Sequence, residues 1–143
     1  MKDQVALIIL YDEDNKLLLQ HRTCDTPRLP GYWAFFGGKV EENETPKAAV
    51  IREAKEELNC RITIPELVIE KNFILPGVQE GHMYVFVEAY FGDKAQLQLC
   101  EGQGWGWFTE DETTQLQMID HDRDVIKKVS EHVRSLDRGG KRK

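Results

Sequence analysis

The sequence predicts an α/β fold, and three observations predict it. Apolar runs rich in β-branched and aromatic residues recur along the chain and read as strands. One short, well-marked helix lies between them, at residues 46–58. A second amphipathic helix over residues 120–134 places Val125, Ile126, Val129 and Val133 on one side. Strands that interleave with helices bury their apolar faces in layers, which gives a sandwich.

Each element follows in order. Residues 5–11 form an apolar run fit for a buried strand, and Asp12-Glu13-Asp14-Asn15 is a turn. Residues 16–22 are a second strand, so a hairpin with the first is expected. Residues 23–31 hold Pro27, Pro30 and Gly31 and read as a loop. Residues 32–36 are a short aromatic strand leading to Gly37 and Gly38, where a tight turn or a close backbone approach to a ligand is expected. Strands are expected at 61–64 and 67–75, with a loop over 76–82. Residues 83–91 give the strongest later strand, residues 96–99 alternate like a half-buried one, and residues 105–108 give a last short one. No internal repeat or second domain is visible. Residues 1–137 read as one domain, followed by a basic, disordered tail at 138–143.

The helix at 46–58 carries the most informative pattern. Thr45 suits the N-cap, Pro46 the first turn, and Asn59 the left-handed residue that ends a helix. Val50, Ile51, Ala54 and Leu58 make an apolar face that packs on a core. Beside it stand Glu53, Glu56 and Glu57, whose spacings of three and four put all three carboxylates on one side. Each like-charge pair costs a few tenths of a kcal/mol, and the helix dipole disfavours anions at this end. A divalent cation is the simplest compensation, and hard cations such as magnesium take carboxylate oxygens. The alternative is a solvated, salt-bridged helix face, for which only Lys55 lies among the three.

Gly38, Glu44, Arg52, Glu53, Glu56, Glu57 and Cys60 stand in register with a known signature. The pattern runs Gly, five residues, Glu, seven residues, Arg-Glu, an apolar residue, any residue, Glu-Glu, any residue, Gly, an apolar residue. It resembles the Nudix box of the Nudix (MutT-like) hydrolases. Asn59 replaces the usual Gly, and Phe36 stands where many members have Pro; neither change touches a carboxylate. The match spans residues 38–60, far more specific than a lone glycine motif.

The resemblance implies a Nudix-type α/β/α sandwich with a mixed β-sheet between helices, a fold that the element order is compatible with and does not select alone. It implies Mg2+, replaceable by Mn2+, as cofactor. By the resemblance, Glu53, Glu56 and Glu57 are metal ligands, and the backbone carbonyl of Gly37 or Gly38 is a further one. Glu53 and Glu56 are the candidates for orienting or deprotonating water, with Arg52 acting on them through bidentate contact. Glu44 is the structural partner within the motif. Glu101, in Cys100-Glu101-Gly102-Gln103, matches a place where triphosphate-cleaving members carry an extra ligand. Arg22, Lys39 and Gly38 are expected against substrate phosphates, with surface salt bridges as the plain alternative for the two cations. Tyr32, Trp33, Phe35, Phe36, Trp105, Trp107 and Phe108 read first as core packing, with stacking on a base as the alternative. Asp120 and Asp122 fit either the border of a base pocket or helix capping. The four histidines lack ligand spacing.

The implied activity is hydrolysis of a nucleoside diphosphate linked to X. The run 17–22, the Gly-Tyr-Trp at 31–33 and the Glu-Gly-Gln look most like enzymes that convert a nucleoside triphosphate, standard or oxidised, to a monophosphate and pyrophosphate. ADP-ribose, dinucleoside polyphosphates and nucleotide sugars are the rival substrates. A non-catalytic nucleotide sensor or protein-binding module is the rival class, disfavoured because such proteins usually lose box carboxylates.

Composition sets outer bounds. The 143 residues, 41% hydrophobic, suffice for one domain with a real core. A net charge of −6 argues against binding nucleic acid polymers, which needs a basic stripe. Cys24, Cys60 and Cys100 are odd in number and widely spaced, so reduced thiols in a cytoplasmic protein are expected. No signal peptide or membrane-spanning run is expected. The expected partner is a small nucleotide, with the protein a monomer or homodimer.

Overall fold

The computed structural model describes residues 3–22, 31–73, 80–98 and 104–136. Residues 23–30 of the loop expected at 23–31, residues 76–79 of the loop expected at 76–82, Cys24, Cys100, Glu101 and the tail at 138–143 lie outside the described residues. Strands are β1 (Asp3–Tyr11), β2 (Leu17–His21), β3 (Trp33–Ala34), β4 (Phe36–Lys39), β5 (Glu66–Phe73), β6 (Gly81–Ala89) and β7 (Gly104–Phe108). The helices are α1 (Pro46–Leu58) and α2 (Asp120–Ser135), with 3-10 turns at Lys94–Gln96 and Glu112–Gln115.

The sheet is mixed. β1 runs parallel to β6, in register from Asp3↔Gly81 to Tyr11↔Ala89, and antiparallel to β4. β5 pairs antiparallel with β6, while β2 pairs antiparallel with β3 and β7. The expected hairpin between β1 and β2 meets at Tyr11↔Leu17, after which β2 turns to its other partners.

Alternation in β1 assigns its side chains to two cores. Ala6, Ile8 and Leu10 lie under α1 with Ala49, Val50, Ala54 and Leu58. Ile9 and Tyr11 lie under α2 with Val125, Ile126, Val129 and Val133. A strand covered on both faces has no polar side, which is why residues 5–11 read as a continuous apolar run. Burying each aliphatic side chain contributes roughly 1.5–3 kcal/mol, so both helices are held by packing more than by propensity.

Three expectations are corrected. Gly37 and Gly38 form no turn; they are strand residues of β4, opposite Leu7 and Ala6. Gly37 has φ +133°, and a Cβ there would sit 2.2 Å from the Ala6 carbonyl oxygen, so glycine permits a close strand–strand approach. Residues 61–64 are not a strand. Pro65 has no N–H to give, and the Thr63 and Ile64 amides donate to the Glu88 carboxylate at 3.2 and 2.9 Å instead of to a ladder. The strand expected at 96–99 is also absent among the described residues. Asp93 accepts the Ala95 amide at 2.9 Å and starts a 3-10 turn, leaving Leu97 as the buried residue.

Among the described residues, no helix is long and apolar enough to cross a membrane. Cys60 is a buried free thiol, pushed above its ordinary pKa by burial and then by the Glu88 charge.

Candidate active site

The site is assembled where α1 crosses β4. Thr45 caps α1 as expected, its Oγ1 accepting the Ala48 amide at 3.1 Å, and Pro46 opens the helix. Asn59 closes it in the left-handed region with φ 53°, while the Asn59 and Cys60 amides donate to the Lys55 and Ala54 carbonyls. The helix is therefore fixed at both ends before any tertiary contact is counted.

Arg52 organises the carboxylates. Its Nε donates to Glu44 Oε2 at 2.8 Å and its Nη2 to Glu44 Oε1 at 3.1 Å, a bidentate fork. Nη1 reaches Glu53 Oε2 at 3.1 Å and Glu56 Oε1 at 3.3 Å. Nη2 also donates to the Lys39 carbonyl at 3.2 Å, which ties the guanidinium to the end of β4. Glu44 is anchored a second time, accepting the Glu41 amide at 2.9 Å. These bonds, the Arg52 side chain first, hold the Glu44 carboxyl below its ordinary range. Glu44, followed by the Glu53 and Glu41 charges, pushes Arg52 still further up, so it is a permanent cation.

The three glutamates occupy different settings. Glu57 is 4% exposed, and its Oε1 accepts the Gly37 amide at 3.0 Å. Glu53 lies against β4, so close that a Cβ on Gly38 would stand 2.6 Å from Glu53 Oε2. Glu56 is the open member, with its side chain 57% exposed. A merely solvated salt-bridged face does not describe this arrangement, since Glu57 is buried and Arg52, rather than Lys55, is the cation among them.

The donors are carboxylate oxygens with backbone groups of β4 beside them, a chemistry that fits a hard divalent cation. Among the described residues no three acidic, histidine or cysteine side chains already converge on one point. Glu57 is held by the Gly37 amide, and Glu53 and Glu56 share Arg52, which spaces the carboxylates along the helix.

Of the residues singled out from sequence, Gly37, Gly38, Glu44, Arg52, Glu53, Glu56 and Glu57 come together here. Lys39 contributes its carbonyl, while its side chain is exposed. Arg22 follows β2, where its amide donates to the Tyr32 carbonyl at 2.8 Å. Glu101 lies outside the described residues. Asp120 and Asp122 do not cap α2; Ile119 holds the N-cap position and both aspartates sit in the first turn, where the helix dipole favours them. The sequence reading missed Glu41, 3.8 Å from Arg52, and missed the Gly37 amide as a donor to Glu57. A backbone donor leaves no side-chain signal in a sequence.

The sequence and fold match known proteins. The NUDIX domain family model matches residues 1–129. The chain is 32% identical over 123 residues to the CTP pyrophosphohydrolase of Escherichia coli (strain K12), covering 85% of this chain and 86% of that one. It is 36% identical over 62 residues to the 8-oxo-dGTP diphosphatase of Proteus vulgaris, covering 43% and 54% of the two chains. The crystal structure of the MutT protein from Methanosarcina mazei Go1 superposes with a TM-score of 0.78, covering 92% and 95% of the chains at 21% identity. This chain belongs to the Nudix family and is a Nudix hydrolase.

Proposed function

We propose that this protein hydrolyses a nucleoside triphosphate, standard or oxidised, to a nucleoside monophosphate and pyrophosphate, with Mg2+ as its cofactor. The observation that carries the reading is the complete carboxylate set of α1, gathered around Arg52 and seated on β4. The relative matched over most of both chains is a CTP pyrophosphohydrolase, and the Proteus vulgaris relative an 8-oxo-dGTP diphosphatase; both names point to triphosphates.

Water adds to a phosphorus of the triphosphate, and the bond between the α- and β-phosphates breaks at the bridging oxygen. Glu53, Glu56 and Glu57 would hold Mg2+, with the Gly37 carbonyl and Glu101 as further donors. The bound cation would supply positive charge against the phosphate oxygens, which suits a site built from carboxylates. Glu53 or Glu56 orients the attacking water and takes its proton. Arg52 fixes both carboxylates, so their positions are set before substrate arrives. Lys39 and Arg22 bring further positive charge to the phosphates.

Variants test the roles. We expect Glu53→Gln and Glu56→Gln to keep the fold and nucleotide binding and to lose turnover by about a hundred-fold or more, as removal of a general base does. Unchanged turnover in both would end the catalytic assignment.

A further inference from the structure

We propose that Lys94 is a positioning residue for the carboxylate helix, acting through the segment that meets the end of α1. The inference rests on the reading that the α1 carboxylates form the active site. It starts from the end of α1, where backbone carbonyls need partners from outside the helix. The Ala54 and Lys55 carbonyls are met by the Cys60 and Asn59 amides at 3.2 and 3.1 Å. The Leu58 carbonyl is met by another part of the chain, the Gln98 amide at 3.0 Å. Leu58 directly follows Glu57, so the segment that carries Gln98 helps set where the last carboxylate stands. Leu97, 6% exposed, packs in the same core as Leu58 and Cys60.

Lys94 fastens that segment. Its Nζ bonds Asp12 Oδ2 at 2.7 Å and lies 4.3 Å from the centre of the Trp107 ring. Asp12 is 1% exposed, and its Oδ1 is occupied by the Asp14 and Lys16 amides at 2.9 and 2.8 Å. A buried carboxylate needs a cation, and a cation shared between it and an aromatic face has little freedom to wander. The segment is closed further by Tyr90, whose hydroxyl donates to the Asp93 carbonyl at 2.7 Å and whose ring stacks on Trp107 at 6.3 Å. One ammonium thus joins the β1–β2 turn, β7 and the segment capping α1.

The test uses the full chain with Lys94→Met, Lys94→Arg and, as a control on an exposed ion pair, Arg134→Gln, which loses the 2.8 Å contact with Glu110. Amide hydrogen exchange is read without metal or nucleotide, and Mn2+ binding is read by electron paramagnetic resonance. In Lys94→Met we expect faster exchange at Leu58, Asn59 and Cys60 and a Mn2+ half-saturation raised about ten-fold, the lower end of what losing an outer supporting partner costs. Lys94→Arg should restore most of both, and Arg134→Gln should change neither. Should Lys94→Met not fold, Asp12→Asn keeps Oδ1 for the two turn amides, removes the charge, and is read in the same way. A lowered melting temperature with wild-type exchange at the end of α1 and wild-type Mn2+ binding would overturn the proposal. Wild-type protein that binds no Mn2+ and cleaves no nucleotide would instead overturn the functional reading, and the exchange data would still decide the role of Lys94.

Discussion

Glu57 accepts the amide hydrogen of Gly37 at 3.0 Å, so the last carboxylate of α1 is bonded to the strand it crosses. The bond joins a residue chosen for its charge to one chosen for its missing side chain. It gives Glu57 a structural task, because the partly buried amide needs an acceptor. Glu57→Gln keeps an oxygen there and should leave stability within about 1 kcal/mol, whereas Glu57→Leu should cost about 1–3 kcal/mol for an unpaired donor. Urea denaturation of the two variants checks the difference. Both should lower activity, since neither keeps the charge.

The paired glycines should respond differently to a methyl group. Gly37→Ala meets the Ala6 carbonyl oxygen at 2.2 Å with φ +133°, where an L side chain is strained. We expect a stability loss on the order of 1–3 kcal/mol or more. Gly38→Ala meets a movable carboxylate, Glu53 Oε2 at 2.6 Å, and should displace it. Stability should then stay close to wild type while kcat falls about ten- to a hundred-fold, as expected when a supporting contact shifts a reacting group. Thermal melts set beside steady-state kinetics separate the two cases.

Acid should expose the Glu44–Arg52 fork. Glu44 titrates below its ordinary value of 4.5 in the folded chain. A carboxyl with a depressed folded pKa stabilises above its unfolded pKa, and that contribution is lost as pH falls through the folded value. Asp12 behaves alike: burial pushes it up, and the bonds from Lys94, Lys16 and Asp14 more than offset this, leaving it below 3.8. Stability should therefore be level at neutral pH and fall below about pH 4.5. In Arg52→Gln the fall should be shallower, because Glu44 then titrates nearer its ordinary value. Chemical denaturation across pH 3 to 7 gives the two curves, and parallel curves would remove Arg52 as the cause.

Removing the cap tests the helix alone. Thr45→Ala should cost about 1 kcal/mol, and Thr45→Ser little, since only the oxygen that accepts the Ala48 amide matters. Equilibrium unfolding of both variants provides the check.

Much of α1 was legible in the sequence because its signals are local. Thr45, Pro46, the spacing of Glu53, Glu56 and Glu57, and Asn59 all act within one or two turns. Both packing faces of β1 were legible only as one apolar run, since alternation disappears when both sides are covered. Residues 61–64 misled because β-branched residues favour a strand only where a partner offers a ladder, and Glu88, far along the chain, takes the amides instead. Gly37 and Gly38 leave a tight turn and a close approach to a ligand both open in the sequence, and glycine permits a close strand approach equally. The clasp of Asp12, Lys94 and Trp107 joins three distant stretches, and none of them carries a local mark of it.

The most direct measurement is product analysis of the wild-type protein on nucleoside triphosphates, standard and oxidised, with ADP-ribose, diadenosine polyphosphates and nucleotide sugars alongside. Each reaction is run with Mg2+ and again with excess chelator. We expect a monophosphate and pyrophosphate from a triphosphate, dependent on Mg2+ and lost in Glu53→Gln. Cleavage confined to ADP-ribose or a nucleotide sugar, or turnover indifferent to the chelator, would contradict the account.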